Sequence, residues 1–201
     1  MRALRLDTAL SEPLLHYLRE LAQWNRTYNL TAVREPLDMV TKHLLDSLAV
    51  LPHLNGRQVI DVGSGAGLPG IPLALADPAR PFVLLDSNGK KAAFLRHAVR
   101  TLGLAQVEVV NARVEQYARG AGRGRFDSVI SRAFASLAEM LEQAGPLCAL
   151  HGRILAMKGQ FPQDELDALR QHTAGFEVEG VVPLKVPGLA AERHLVIFCR
   201  A

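Results

Sequence analysis

The stretch Val59 to Gly70, VIDVGSGAGLPG, joins a run of apolar β-forming residues to a glycine-rich turn. Glycines at positions 63, 65 and 67 allow positive φ angles and let a ligand approach the main chain without meeting a Cβ atom. An apolar run with the pattern of a helix follows from Leu68. The N-terminus of such a helix attracts carboxylates and phosphates. Strand, glycine turn and helix together predict a site for a nucleotide-like cofactor.

Two cofactors fit this loop, and a tight turn without a ligand is a third possibility. The spacing Gly65-x-Gly67-x-x-Gly70, with Asp86 about 20 residues further on, satisfies the dinucleotide fingerprint. Asp61 favours the other cofactor: an acid followed by glycines at alternate positions resembles motif I of methyltransferases that use S-adenosylmethionine (AdoMet). In that motif the carboxylate faces the methionyl ammonium. A turn without a ligand is disfavoured, because glycines cost conformational entropy and contribute no side-chain packing.

Composition limits the class of protein. The chain has 201 residues, of which 49% are hydrophobic, and this predicts one globular domain over residues 1–201. We find neither an apolar run long enough to span a membrane nor a signal peptide, so a cytoplasmic location is expected. Cys148 and Cys199 lie far apart, which predicts no disulfide framework and no metal site. The net charge of +3 permits a polyanionic partner without requiring one.

The first quarter of the chain has helical periodicity. Residues 7–29 are predicted to form one amphipathic helix, which the polar and aromatic stretch 24–31 should break. Helical periodicity resumes over residues 39–51. We therefore expect residues 1–55 to form a helical N-terminal extension that covers the site, and residues 56–201 to form the cofactor-binding core.

The remainder alternates between strands and helices. Such alternation specifies right-handed crossovers and a parallel sheet with helices on both faces. Five strands are predicted, over residues 57–62, 81–86, 107–110, 126–131 and 153–158. Two later runs, 176–183 and 194–199, have no helix between them and predict an antiparallel hairpin. This α/β pattern is that of the class I AdoMet-dependent methyltransferase, with a Rossmann-like seven-stranded sheet, and differs from the usual dehydrogenase arrangement.

Residues at the carboxyl ends of the strands are candidates for ligand contact, because ligands of open α/β sheets bind there. Gly63 follows the first strand. Asp86 follows the second, where its carboxylate can accept hydrogen bonds from ribose hydroxyls. Residues 111–115 follow the third and offer contacts to an adenine edge. Arg132 and Lys158 follow the fourth and fifth, and for each of these the alternative is a solvated surface charge.

Eight segments spread over nearly the whole chain resemble one family. They are NLT at 29–31, HLLDS at 43–47, DVGSGAGLPGIPLA at 61–74, LLDSNGKKAAFLRH at 84–97, RVE at 113–115, FDSVISRAFASL at 126–137, KGQ at 158–160 and ERHLV at 192–196. The family is RsmG, also called GidB, the bacterial methyltransferases of guanine N7 in 16S ribosomal RNA. The segment at 126–137 is not shared with methyltransferases in general.

The resemblance implies AdoMet as the cofactor and, as the substrate, the guanine at position 527 in the decoding-site loop of the small subunit. The partner is then 16S ribosomal RNA or the small ribosomal subunit, with no membrane and no obligate protein partner. The family's cofactor contacts fall on Gly63, Leu68, Val114, Glu115 and Arg132. The glycine loop and the strand-end argument add Gly65 and Asp86 to the predicted cofactor site.

Guanine N7 carries a lone pair and no proton, so it can attack the sulfonium methyl without a general base. No residue is therefore assigned as a catalytic acid or base. Tyr28, Phe134 and Trp24 are available to stack on a base, although core burial is the alternative for each. The predicted RNA contacts, for which a solvated charge or a structural histidine is the alternative, are Asn29, Arg34, Lys42, His43, Arg96, Lys158, Arg193 and His194.

Overall fold

A computed structural model describes residues 7–132, 134, 136–169, 173 and 175–200. Seven strands form one sheet in the order β3-β2-β1-β4-β5-β7-β6. The first five are mutually parallel, and β7 runs antiparallel to both β5 and β6. This confirms the predicted fold class, including the C-terminal hairpin. The strands are β1 Val59–Val62, β2 Phe82–Leu85, β3 Val107–Val110, β4 Phe126–Ser131, β5 Cys148–Lys158, β6 Phe176–Pro183 and β7 His194–Arg200.

The central strands are buried because helices cover both faces of the sheet. Every residue of β1 and β2 is buried, as expected for parallel strands between two helical layers. The helices are α1 Ser11–Tyr28, α2 Pro36–Met39, α3 Asp46–Leu48, α4 Gly70–Ala76, α5 Gly89–Thr101, α6 Val114–Arg119, α7 Leu137–Ala144 and α8 Gln163–Leu169. Within the described residues, none of them has the length and apolarity needed to cross a membrane.

Two hydrophobic cores lie on opposite faces of the sheet. One contains buried side chains of α1, α4 and α5, among them Tyr17, Ile71 and Phe94. The other contains buried side chains of α7 and of both central and outer strands, including Met140 and Phe198.

The first long helix, α1, lies within the predicted helix over residues 7–29. Of the stretch 24–31 that was expected to break it, residues 24–28 remain helical and residues 29–31 do not. Trp24 packs against Phe94 and His97 of α5, with ring centroids 5.6 and 5.0 Å apart. This packing between helices outweighs the weak helix propensity of the local sequence. The helix ends at Asn29, which has a left-handed conformation with φ of 49°.

The second helical segment contains a wide turn. Residues Val40–Leu45 form a π-helical turn between α2 and α3. Turns of this kind interrupt the regular pairing of backbone groups and occur often at functional sites. Here the backbone carbonyl of Lys42 accepts a hydrogen bond from Arg132 Nη1 at 3.2 Å. The turn thereby connects the N-terminal helices to the end of β4.

A second contact attaches the N-terminal helices to the glycine loop. The hydroxyl of Tyr17, in α1, donates a hydrogen bond to the backbone carbonyl of Ala66 at 2.6 Å. Tyr17 is fully buried, and Ala66 is 6% exposed. The glycine loop is therefore held from outside the sheet as well as by its own strand and helix.

We predict that Tyr17→Phe lowers the free energy of unfolding by about 1–3 kcal/mol, because the Ala66 carbonyl is left buried without a partner. Urea unfolding measures the change, and the slope of the free energy of unfolding against urea concentration should stay the same. Tyr28→Phe is the matched control, since Tyr28 is 43% exposed, and it should leave stability unaltered. Equal stabilities for all three proteins would show that the Tyr17 hydrogen bond contributes nothing.

Candidate active site

Two cavities lie side by side at the carboxyl edge of the sheet. The first, of about 400 Å³, is lined by the ends of β1, β2 and β4 and by the segment after β3. The second, of about 420 Å³, is lined by the loop 31–33, the π-helical turn and the ends of β5 and β7. They adjoin at the end of β4, where Ser131 lines the first and Arg132 lines the second. The end of β4 therefore borders both cavities.

A buried carboxylate fixes the glycine loop beside the first cavity. Asp86 is 6% exposed and lines this cavity. Its Oδ2 accepts a hydrogen bond from the Gly65 amide at 2.8 Å, and its Oδ1 accepts one from the Asn88 amide at 2.8 Å. Each carboxylate oxygen can accept more than one hydrogen bond. Asp86 is thus able to hold the loop and to accept hydrogen bonds from a ligand.

The glycines of the loop serve two different purposes. Gly63 lines the first cavity with a φ of +70°, and a Cβ atom added there would meet nothing within 4 Å. Its open side is therefore space that a ligand can use. A Cβ at Gly67 would lie 2.4 Å from Ile71, and one at Gly70 would lie 2.3 Å from Leu84. These two glycines allow the close packing of α4 on the sheet.

Asp61 lies inside the fold beneath the loop. It is fully buried, and its Oδ2 accepts a hydrogen bond from the Gly70 amide at 2.9 Å. Within the described part of the chain, its buried Oδ1 has no hydrogen-bond partner. Burial raises the pKa of Asp61 to about 7, although the Gly70 amide opposes the increase. The carboxylate thus bonds to the first residue of α4, and its predicted contact with a methionyl ammonium stays a prediction.

The other predicted cofactor residues are not all at the first cavity. Val114 lines it, as Gly63 and Asp86 do. Leu68 is buried in the hydrophobic core at the base of the loop. Glu115 borders a separate, smaller depression next to α7. Arg132 lines the second cavity, because its side chain turns towards the π-helical turn.

The second cavity brings together five of the predicted RNA contacts: Lys42, His43, Lys158, Arg193 and His194. Asn29 and Arg34 lie in the exposed loop next to this cavity and are joined by a hydrogen bond of 3.1 Å. Arg96 lies on the exposed face of α5, outside the residues that line the two cavities. The structure therefore separates Arg96 from the other candidates.

A buried aspartate joins two arginines of the second cavity. Asp46, in α3, is 2% exposed. Its Oδ1 lies 2.9 Å from Arg193 Nε, and its Oδ2 lies 3.6 Å from Arg132 Nη1. Burial raises the pKa of Asp46, and the two guanidinium groups oppose that increase. The contact links the N-terminal helices, the end of β4 and the start of β7 at one point.

The two lysines of the second cavity are paired as well. Lys42 Nζ lies 2.8 Å from Asp38 Oδ2, one helical turn earlier. Lys158 Nζ lies 2.8 and 2.9 Å from the two carboxylate oxygens of Glu165, in α8. Glu165 also accepts a hydrogen bond from the Leu137 amide at the start of α7. Each of these lysines therefore lines the cavity with its ammonium group paired to a carboxylate.

His43 is a neutral member of the cavity wall. It is 3% exposed, and its Nε2 lies 2.9 Å from Thr31 Oγ1. Burial lowers the pKa of His43 to about 4, and the nearby charge of Arg132 acts in the same direction. The Thr31 hydroxyl also accepts a hydrogen bond from the Val33 amide at 3.2 Å. His43 thus holds the loop 31–33 and carries no charge at neutral pH.

Several residues of the site were not among the sequence candidates. Asp46 is preceded by apolar residues in a periodic helical run, and a lone carboxylate in such a run is a signal for a buried ion pair. Glu165 gave no signal, because its role depends on how α8 packs beside β5. Of the predicted stacking residues, Phe134 lines the first cavity, and Trp24 packs between Tyr28 and α5.

Comparison with known proteins identifies the family. The family model described as GidB, rRNA small subunit methyltransferase G, matches residues 10–196. A protein named ribosomal RNA small subunit methyltransferase G from Nitrosococcus oceani is 52% identical over 191 residues, covering 95% of this chain and 86% of its own length. The protein of the same name from Stenotrophomonas maltophilia strain K279a is 49% identical over 196 residues, covering 98% of this chain and 90% of its own.

Solved structures agree on the fold. A SAM-dependent methyltransferase from Aquifex aeolicus superimposes with a TM-score of 0.62 at 19% identity, covering 83% of this chain and 94% of that one. The cofactor-bound protein Rv0187 from MTB superimposes with a TM-score of 0.64 at 18% identity, covering 94% and 89%. The match of the family model over most of the chain and the curated relatives at about half identity lead to one conclusion: this chain belongs to the GidB family, the rRNA small subunit methyltransferase G proteins.

Proposed function

We propose that this protein transfers the methyl group of AdoMet to N7 of a guanine in 16S ribosomal RNA, at position 527. The observation that carries the proposal is the pair of cavities that adjoin at the end of β4. One has the features of a nucleoside site, and the other is lined by paired cations. Membership of a family of small-subunit rRNA methyltransferases supports the same reaction class. The substrate is the RNA itself or the small subunit that contains it.

The residues of the first cavity fit AdoMet. Asp86 offers carboxylate oxygens to ribose hydroxyls, and Gly63 leaves room for the ligand beside the main chain. Val114 and Phe134 provide apolar contacts of the kind that an adenine ring requires. AdoMet supplies an electrophilic methyl group on a sulfonium. A side chain at position 63 would fill the open space beside Gly63 that the ligand needs.

The residues of the second cavity fit a nucleotide whose base meets that methyl group. During transfer, positive charge moves from the sulfonium to the guanine ring. An unpaired cation beside N7 would oppose this movement, because like charges repel strongly in a site that excludes water. The pairing of Arg132 and Arg193 with Asp46, and the low pKa of His43, reduce that repulsion. The same cations retain donor atoms for RNA phosphates or the guanine O6 edge.

Catalysis in this scheme comes from positioning. Guanine N7 has no proton to lose, so the residues need only align N7 with the methyl group, an effect that contributes up to about 7–11 kcal/mol in favourable cases. Arg132 stands where the two cavities adjoin, and its contact with the Lys42 carbonyl fixes its orientation. His43 supports the loop that forms the opposite wall. No side chain has to exchange a proton with the substrate.

The proposed function is tested on small ribosomal subunits from a strain that lacks this enzyme. The protein is added with AdoMet, and the methylated nucleotide is mapped by chemical cleavage and mass spectrometry. A single 7-methylguanine at position 527 supports the proposal. Methylation at another atom or another position contradicts it. A lack of methylation in both the subunit and its free RNA contradicts it as well.

We predict that Asp86→Asn weakens AdoMet binding by about 1.5–3 kcal/mol, the range for a hydrogen bond to a charged group. The amide keeps one acceptor oxygen but cannot hold both the Gly65 amide and the ribose as the carboxylate does. Calorimetry with AdoMet measures the loss. Glu108→Gln, at a side chain 53% exposed on β3, is the control and should bind normally. Unchanged affinity in Asp86→Asn would remove this residue from the cofactor site.

We predict that Lys42→Ala weakens binding of the RNA and that Arg96→Ala does not. Lys42 lines the second cavity, whereas Arg96 lies outside it. Loss of one phosphate contact reduces the slope of log K against log salt by about 0.9 or less. Filter binding of the target rRNA over a salt series measures both slopes, and AdoMet affinity should stay the same. A smaller slope for Arg96→Ala alone would place the RNA on α5 instead.

We predict a nearly flat rate of methyl transfer between about pH 6.5 and 8.5, because no general base is required. His43 has a pKa of about 4 and stays uncharged over this whole interval, so it adds no slope. Burial raises the pKa of Asp61 to about 7, but saturation with AdoMet removes any effect of its protonation on cofactor affinity. Single-turnover rates at saturating RNA and AdoMet provide the measurement. A tenfold rise per pH unit that one Asp, Glu or His replacement abolishes would contradict the mechanism.

A further inference from the structure

An exposed aromatic side chain lies at the mouth of the second cavity. Phe161 follows β5 and is 47% exposed. Its ring packs against the imidazole of His194 in a nearly perpendicular arrangement, with centroids 5.5 Å apart and an interplanar angle of 86°. His194 itself lines the second cavity. About half of a large apolar side chain therefore faces solvent next to the proposed RNA site.

The loop that carries Phe161 is fixed in position. His194 Nδ1 lies 3.3 Å from the backbone carbonyl of Gly159, which can only accept, so Nδ1 carries the proton. The Gln163 amide donates a hydrogen bond to the Phe161 carbonyl at 3.1 Å, immediately before α8. The segment is thus tied to β7 at Gly159 and forms a local turn directly after Phe161. An aromatic ring that is held in place loses little conformational entropy when a ligand stacks on it.

A shallow depression surrounds this ring and continues into the second cavity. Its lining runs from Lys158 to Glu165, and it shares Lys158 and Gly159 with the second cavity. The depression therefore offers a nucleotide chain whose guanine enters the second cavity a way out over Phe161. The depression has a volume of about 340 Å³, enough for a nucleobase.

The charges of the depression favour a base over a phosphate. The ammonium of Lys158 is paired with Glu165, and Asp164 adds a second carboxylate to the lining. Both carboxylates repel a phosphate. An uncharged planar base has no such cost, and stacking on an aromatic side chain suits any base because each has a π face.

We propose that an unpaired nucleobase next to the target guanine stacks on Phe161, and that this contact holds the substrate RNA in register. The inference rests on the proposed function, and it adds a binding residue that neither the glycine loop nor the paired cations include. Phe161 acts on binding of the RNA. It touches neither the first cavity nor the residues that hold the glycine loop.

The test uses Phe161→Ala, Phe161→Leu and Phe161→Tyr in the full chain, with small ribosomal subunits as the substrate. Loss of base stacking should raise KM for the subunits roughly 5- to 150-fold in the alanine variant. The leucine variant, which keeps apolar bulk but has no π face, should resemble alanine, and the tyrosine variant should resemble the original protein. Leu150→Ala is the control, since Leu150 is 67% exposed at the other end of β5, and it should leave KM unchanged.

A second measurement reports stacking directly. Phe161→Trp adds an indole at the proposed contact, and a single-stranded RNA that spans the target guanine should quench its fluorescence. The original protein, with Trp24 as its one tryptophan, provides the background signal. AdoMet affinity of every variant, measured by calorimetry, should match that of the original protein, which also shows that the variants fold.

The outcomes separate this inference from the proposed function. If the original protein methylates the subunit and Phe161→Ala does so with unchanged KM, the stacking proposal is wrong and the function stands. If Phe161→Leu has the same KM for whole subunits as the original protein, Phe161 contacts an apolar protein surface. The base-stacking proposal then also fails. If the original protein does not methylate the subunit RNA at all, the proposed function itself fails.

Discussion

The ion pairs of Asp46 with Arg193 and Arg132 are the contacts on which the second cavity depends. A buried carboxylate loses its hydration, and this cost is offset only where charged donors replace the water. Here the donors come from the end of β4 and the start of β7, while the carboxylate comes from α3. Removing both arginines would leave the buried Asp46 carboxylate without compensation, a loss that typically costs about 3–5 kcal/mol. The interaction therefore fixes the N-terminal helices against the carboxyl edge of the sheet.

This constraint has a chemical consequence for the proposed reaction. Arginines and lysines are needed to hold RNA, yet a cationic cofactor and a guanine that becomes cationic must react beside them. The structure provides four cations whose charge is partly offset by Asp38, Asp46 and Glu165, together with a histidine whose pKa is low. Such a wall donates hydrogen bonds to phosphates and bases without building up a strong positive potential. Affinity for RNA is then compatible with methyl transfer at N7.

The fold could be predicted from the sequence because its signals are local. Alternation of apolar strands with helices specified the parallel sheet, and the two strands without a helix between them specified the antiparallel hairpin. The glycine loop and Asp86 were found for the same reason, since they follow strand ends directly. The strand β5 begins earlier than predicted, at Cys148 instead of residue 153, because its first half is partly exposed and lacks an apolar pattern.

The parts that could not be predicted depend on contacts between distant segments. Trp24 packs α1 against α5, a contact that no local pattern shows. Arg132 follows β4 as expected, but only the position of the π-helical turn decides that it faces the second cavity. Glu165 meets Lys158 because α8 folds back beside β5. Sequence reasoning found most of the cations of the site and missed the carboxylates that compensate them.

The central claim is that cofactor and guanine occupy adjoining cavities and meet at the end of β4. A crystal structure of the protein with S-adenosylhomocysteine and a short RNA containing the target guanine tests it most directly. We expect the homocysteine sulfur at the boundary near Ser131 and Arg132, with the guanine in the second cavity and its N7 directed at the sulfur across the space that a methyl group fills. A guanine that presents another atom to the sulfur, or that binds away from the second cavity, would contradict the account.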